Sequence, residues 1–337
     1  MKPGPLSTLF HPFESGVLAA PEPGRFLFLG AEPGFRLPEG FGADLHSVQG
    51  FRPHFRALEA LRYKVTPRLE GMEFDGALVL AGRHRGQNEV RIADAVERVV
   101  PGGLILVAGS ADDGIVSLRK RVAKLVDVEG SLPKYHGSVF WFRRPETAVG
   151  IVAALRPEPM LVDERFTTAP GMFSHDRIDA GSRLLAECLP ETAKGAAADF
   201  GAGWGYLSAR LAEKTKGLEA IDLYEADYES LEAAKANLAG LTNAPEFGLF
   251  WHDLAAEKVE RRYDLIVMNP PFHQSRAAEP GIGQAMIKAA SSALKPGGRL
   301  LMVANRGLPY EQALKAGFKE AQELRNEGGF RVISARR

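Results

Sequence analysis

Four consecutive residues, Asn269-Pro270-Pro271-Phe272, join an amide that both donates and accepts hydrogen bonds, a backbone carbonyl held by proline, and an aromatic face. Such a set suits the gripping of a flat molecule that bears an amino group. A second cluster, Gly201-Ala202-Gly203-Trp204-Gly205, lies between an apolar run at 196–200 and a helical pattern at 206–211. A glycine-rich turn in that position lets a ligand approach the backbone closely. Glu225 ends the apolar run 218–224, where a carboxylate can accept two hydrogen bonds from ribose hydroxyls. Asp253 follows the run 247–251 and can accept from the exocyclic amine of an adenine. Glu225 or Asp253 alone reads equally as a helix N-cap or a solvated loop charge. All these groups, however, stand at the carboxyl ends of successive strands, the edge at which open α/β sheets bind ligands.

The elements that position them alternate between strand and helix. Residues 264–268 are an apolar run that reads as a buried strand. The two prolines after it forbid both further ladder pairing and an immediate helix, so Asn269 sits on a stiff turn at a strand end. Further strands are expected at 299–304 and 330–335, with helices near 183–189, 231–238, 283–294 and 310–316. In the first half, strands are expected at 25–29, 76–81, 104–108 and 137–142, with helices at 87–100 and 115–126. The order implies a parallel α/β sheet in each half. The proline-containing stretch 156–170 is irregular in pattern, which divides the chain into domains 1–158 and 159–337.

The halves also parallel each other. Asp75-Gly76-Ala77-Leu78-Val79-Leu80 matches Asp264-Leu265-Ile266-Val267-Met268-Asn269, and 101–108 matches 296–303. In the first copy Ala81-Gly82-Arg83-His84 replaces the Asn-Pro-Pro-Phe turn, and the glycine turn Gly30-Ala31-Glu32-Pro33-Gly34 carries an acid and a proline. The pattern implies a duplicated domain whose first copy lost its chemistry and kept its core.

With 337 residues the chain is long enough for two domains. Lys+Arg and Asp+Glu both number 42, which excludes nucleic-acid binding by bulk charge and leaves room for a local patch. Arg83, His84, Arg85, Arg119, Lys120, Arg121, Lys124, Lys134, His136, Arg143 and Arg144 form such a concentration, either a solvated surface or a phosphate-contacting one. A single cysteine excludes a disulfide framework or a cysteine-rich metal site and fits a reducing compartment. Cys188 reads as an inert core thiol. No metal-ligand spacing surrounds His84 or His136. The N-terminus lacks a signal-peptide core, and no apolar run reaches membrane-span length, so a cytoplasmic protein without a membrane partner is expected.

At this point the motifs resemble a family. Asp199-Phe200-Gly201-Ala202-Gly203-Trp204-Gly205 resembles the glycine motif of class I S-adenosylmethionine-dependent methyltransferases, and Asn269-Pro270-Pro271-Phe272 resembles their amino-methylating signature. Together with Pro170-Gly171-Met172-Phe173-Ser174, Asp179-Ala180-Gly181-Ser182 and His273, they resemble the bacterial ribosomal RNA guanine-N2 methyltransferases of the RsmC/RlmG type. The resemblance covers about 160–337 strongly and the first half in outline. It implies two tandem Rossmann-like methyltransferase domains, the first degenerate with an RNA-binding or structural role, the second a seven-stranded sheet ending in an antiparallel strand. It implies S-adenosylmethionine as cofactor, held by Gly201, Gly203 and Gly205 at its methionine part. Asp199 would meet its amino group, Glu225 the ribose, and Asp253 the adenine with the backbone N–H of Leu254. Phe173 and Asp179 would line the same pocket, and Asn269 would serve both cofactor and acceptor.

The implied reaction transfers a methyl group to the N2 amine of a guanine in ribosomal RNA, with the small subunit favoured and the ribosomal RNA or subunit as partner of a monomeric enzyme. The Asn269 side-chain carbonyl and the Pro270 carbonyl would take the two amine protons while Phe272 stacks on a base flipped out of its helix. Adenine-N6 and protein glutamine are alternative targets, because they too use this kind of turn. A non-catalytic RNA-binding assembly protein that kept the fold is the alternative outside enzymes.

Overall fold

The computed structural model describes residues 4–158, 160–271 and 280–337. The chain divides into two compact units, Met1–Pro159 with Ala169–Gly171, and Met160–Thr168 with Met172–Arg337.

The first unit runs α1 (Pro5–Glu14), β1 (Arg25–Leu29), β2 (Asp44–Val48), α2 (Arg52–Ala60), β3 (Val65–Thr66), β4 (Phe74–Leu80), α3 (Arg85–Arg98), β5 (Val99–Ser110), α4 (Ile115–Val122), β6 (Val128–Lys134), β7 (Gly137–Arg143) and α5 (Val149–Leu155). The second runs β8 (Met160–Val162), β9 (Phe166–Thr168), α6 (Ala180–Glu187), β10 (Thr192–Phe200), α7 (Tyr206–Lys214), β11 (Lys216–Glu225), α8 (Tyr228–Leu238), β12 (Glu246–Trp251), β13 (Tyr263–Met268), α9 (Pro280–Ala293), β14 (Leu294–Asn305), α10 (Glu311–Gly317), β15 (Glu320–Glu327) and β16 (Phe330–Arg336).

Each unit holds one seven-stranded sheet, in the orders β3-β2-β1-β4-β5-β7-β6 and β12-β11-β10-β13-β14-β16-β15. The orders are the same when counted within each sheet, and the strands are parallel except that β7 and β16, next to the edge, run antiparallel to both neighbours. Two tandem Rossmann-like methyltransferase sheets are therefore present, as expected. Central strands such as Leu78-Val79-Leu80 and Leu300-Leu301-Met302-Val303-Ala304 are buried throughout, because helices cover both faces of a parallel sheet.

Register identifies equivalent positions. Leu29 pairs with Val48 and Val79, and Phe200 pairs with Tyr224 and Met268. Gly30 thus corresponds to Gly201, Gln49 to Glu225, and Leu80 to Asn269. The lost acceptor is therefore Leu80, the last residue of β4, and the replaced turn begins there, one residue before Ala81. Individual hydrogen bonds repeat as well. Arg25 N–H donates to Asp75 Oδ2 at 2.7 Å and Ala196 N–H to Asp264 Oδ2 at 3.1 Å. Gly102 N–H donates to the Arg144 carbonyl, and Gly297 N–H to the Arg337 carbonyl.

Several sequence expectations shift. The helix expected at 87–100 ends at Arg98, because Val99 already pairs with Phe74 in β5. Strand β15 was not expected at all: every residue in it is exposed, so it carries no apolar alternation. It forms because Gly328 and Gly329 take left-handed angles, φ 59° and 87°, in a two-residue hairpin turn to β16. Tyr135 and His136, φ 49° and 58°, turn β6 into β7 in the same way.

Much of the basic cluster works inside the first unit. Arg119 donates to Ser131 Oγ, Arg121 to the Ala154 carbonyl, and Arg144 to the carbonyls of Val96, Pro145 and Glu146. Cys188 is only half-buried, at the C-terminal end of α6, and partial burial raises its thiol pKa. Among the described residues no helix is long and apolar enough to cross a membrane.

Candidate functional site

The carboxyl ends of β10 and β13 meet at the centre of the second sheet, the point where the strand order reverses. After β10 the chain turns through Gly201, Gly203 and Gly205 at φ 77°, 53° and 89°, left-handed angles that side chains strain to adopt. The turn bonds back to β11: Gly201 N–H donates to the Tyr224 carbonyl at 2.8 Å. Gly205 caps α7, and a Cβ there would lie 3.1 Å from the Ala234 methyl, so this glycine serves helix packing.

An open cleft lies over the turn. Gly201, Ala202 and Gly203 line it together with Asn269, Asp179, Ser182 and Phe173. Gly201 and Gly203 are thus brought together with Asn269, Phe173 and Asp179. Asp199, Gly205, Glu225 and Asp253 do not line this cleft.

Asp199 lies beneath the turn, wholly buried. Its Oδ2 accepts from Ser208 Oγ at 2.7 Å, and its Oδ1 is buried without a partner among the described residues. Burial pushes its pKa up to about 7, with the Ser208 hydroxyl pulling the other way and the nearby Glu225 charge adding to the rise. Glu225 fastens the turn from behind. Its Oε2 accepts from Gly203 N–H and its Oε1 from Asp227 N–H, each at 2.8 Å. Burial pushes Glu225 up to about 7 as well, against the hydrogen bonds from the Asp227 and Gly203 amides. Asp253, buried after β12, accepts Ala255 N–H at Oδ1 (3.0 Å) and donates its own N–H to Glu257. Leu254 packs its side chain into the core with Tyr224 and Met268.

Asn269 follows β13 directly. Its Nδ2 donates to Asp179 Oδ2 at 3.0 Å and to Ser182 Oγ at 2.8 Å, while its Oδ1 is buried without a partner among the described residues. Pro270 is buried and Pro271 exposed. Phe272 and His273 lie outside the described residues.

Sequence reasoning missed three supports: Ser208 beneath Asp199, Ser182 against Asn269, and the tether of Trp204. Trp204 Nε1 donates to the Phe173 carbonyl at 2.9 Å, and its own carbonyl accepts from Asn237. Only side-chain direction reveals these, and none has a local spacing that would announce it.

The first unit shows how such a site closes. A Cβ at Gly30 would lie 2.5 Å from Arg91 Nη1, which donates to the Leu80 carbonyl at 2.8 Å. At the equivalent Gly201 the nearest side chain is Met286, 3.3 Å away. Gln49 keeps one bond of its counterpart, accepting Phe51 N–H at 2.8 Å, but its amide now donates to the Ala31 carbonyl. An arginine over the glycine and an amide in place of the carboxylate leave no match to the second unit's site.

The residues present fit S-adenosylmethionine: a cradle of backbone bare of Cβ atoms, a buried carboxylate oxygen short of a donor, and a carboxylate behind the turn.

Residues 163–334 match the family model described as "Methyltransferase small domain". Ribosomal RNA small subunit methyltransferase C of Erwinia tasmaniensis is 28% identical over 268 residues, 75% of this chain and 73% of that protein. The protein of that name from Chromohalobacter salexigens is 39% identical over 171 residues, 49% of each chain. Among solved structures, the T. thermophilus 16S rRNA N2 methyltransferase RsmC, in complex with AdoMet and guanosine, superposes with a TM-score of 0.80. It is 24% identical and covers 99% of this chain and 91% of its own, a likeness of fold.

Proposed function

The chain belongs to the methyltransferase small domain family, and we propose on that footing that it transfers a methyl group from S-adenosylmethionine to the N2 amine of a guanine in small-subunit ribosomal RNA. The relatives named ribosomal RNA small subunit methyltransferase C and the fold shared with an N2 methyltransferase of 16S rRNA support the substrate. The observation that carries the chemistry is Asn269 Oδ1, a buried acceptor beside the glycine turn without a donor among the described residues.

S-adenosylmethionine supplies an electrophilic methyl group on a sulfonium. Gly201 and Gly203 would hold its methionine part against bare backbone, Asp199 Oδ1 would accept from its ammonium, and Glu225 and Asp253 would accept from ribose and adenine. A guanine N2 amine is a weak nucleophile, because its lone pair is delocalised into the ring. Asn269 Oδ1 and the Pro270 carbonyl would accept hydrogen bonds from its two N–H groups and favour the pyramidal nitrogen whose lone pair is free, and the one proton that the methylated nitrogen sheds passes to water. Rate then comes from orientation rather than from a strong base. Phe272 is assigned the stacking face of the flipped base. The first unit, with its cofactor-equivalent turn closed by Arg91, takes a structural or RNA-binding role. The enzyme acts as a monomer in the cytoplasm.

The test is transfer of a labelled methyl group from S-adenosylmethionine to separated ribosomal subunits and free ribosomal RNAs, followed by mapping of the base. Label on adenine or on protein, or no transfer from a chain that binds the cofactor, rejects the reading.

A further inference from the structure

We infer that Asp179 and Ser182 are positioning residues that lock the Asn269 carboxamide in the one orientation that leaves its Oδ1 open to the substrate amine. The inference rests on the acceptor role assigned to Asn269. A carboxamide has two faces of similar shape and opposite chemistry, and nothing in Asn269 itself chooses between them. The choice is made opposite it. An ionised carboxylate only accepts, so the group facing Asp179 Oδ2 at 3.0 Å must be the Asn269 N–H₂. The second N–H meets Ser182 Oγ at 2.8 Å, so both donors are used and the carbonyl oxygen is left over. It is this atom that is buried with no partner among the described residues. A flip would set the Asn269 carbonyl against the carboxylate, oxygen to oxygen.

The lock is itself held rigidly. Asp179 is the N-cap of α6, and its Oδ2 also accepts Ser182 N–H at 2.8 Å. Leu184 and Leu185 bury the apolar side of that helix. Gly181 leaves the room required: a Cβ there would come within 3.1 Å of Asp179 Oδ2 and 3.0 Å of the Phe330 ring. One carboxylate oxygen therefore ties the start of α6 to the end of β13, although the two residues are 90 positions apart in the chain. The motif Asp179-Ala180-Gly181-Ser182 is thereby assigned the job of aiming the Asn-Pro-Pro turn.

The decisive variant is Asp179→Ser. Serine caps helices as well as aspartate does, so α6 keeps its start. Asparagine would not serve, because the oxygen that keeps the cap is the same one that faces Asn269. A hydroxyl both donates and accepts, so it no longer chooses a face of the Asn269 carboxamide. The expected result is a fall in kcat of about 10²-fold, the scale of losing one preorganised hydrogen-bonding group. The calorimetric Kd for S-adenosylmethionine and the melting temperature should stay close to wild type. Ser182→Ala removes one of the two acceptors and should lower kcat by less, with Kd again unchanged. If Asn269→Ala abolishes transfer while Asp179→Ser keeps wild-type kcat, the lock is wrong and the acceptor reading stands. If Asn269→Ala keeps full kcat, the acceptor reading itself fails. If Asp179→Ser instead weakens cofactor binding in step with activity, Asp179 is a cofactor ligand and the lock is overturned.

Discussion

Replacing Asp199 by asparagine should stabilise the second unit while weakening its cofactor site. Asp199 is wholly buried, one oxygen bonded to Ser208 and the other without a partner among the described residues, and its pKa is pushed from 3.8 to about 7. A carboxyl raised in the folded state binds protons that the unfolded chain has already released. Its stability contribution is intact below the unfolded value near 4 and is lost as pH rises toward 7. At 1.36 kcal/mol per pKa unit, a shift of about three units costs on the order of 4 kcal/mol, complete above pH 7 and nearly absent at pH 4. Asparagine has nothing to ionise and keeps an oxygen for Ser208. With roughly 2–4 °C per kcal/mol for a unit of this size, Asp199→Asn should melt several degrees higher than wild type at pH 8 and about level with it at pH 4. The assay is thermal unfolding of the full chain across that pH range, followed on the transition that S-adenosylmethionine shifts. In the same variant the Kd for S-adenosylmethionine should rise at least tenfold at pH 8. A stability difference that does not grow between pH 4 and pH 7 would refute the assignment of Asp199 as a desolvated acid kept for a cationic partner.

Glu225→Gln should fold yet lose cofactor affinity, because an amide cannot accept from both Gly203 and Asp227, and Gln49 in the first unit turns its amide to the Ala31 carbonyl instead. Calorimetry should read at least a tenfold weaker Kd, and an unchanged Kd counts against the role of Glu225. Gly205→Ala, strained in φ and pressed at 3.1 Å on Ala234, should lower the melting temperature more than Gly203→Ala, whose Cβ meets nothing within 4 Å. The reverse order would contradict the packing role given to Gly205. Tyr263→Phe removes the hydroxyl that donates to Asp222 and meets the Tyr224 hydroxyl, and should cost about 1–2 kcal/mol in denaturant unfolding with kcat unchanged.

Most of the frame was legible in the residues because it is local. Buried parallel strands need unbroken apolar runs, and prolines and glycines must mark where such runs stop. The glycine turn, the Asn-Pro-Pro turn and the repeated strand–turn patterns could therefore be placed from the chain alone, together with the doubled fold. Strand β15 could not, because its order comes from pairing with β16 through a glycine hairpin and not from its own side chains.

What the tertiary structure alone decided is which groups face one another. Register, not spacing, made Gln49 the counterpart of Glu225. Folding buried Asp199 under the turn, set Glu225 behind it, and closed the first unit's turn with Arg91. It also brought Asp179 across 90 residues to fix the face of a carboxamide that the sequence could name but not aim. Chain chemistry is written residue by residue. The direction of a hydrogen bond belongs to a pair, and the pair exists only after the chain has folded.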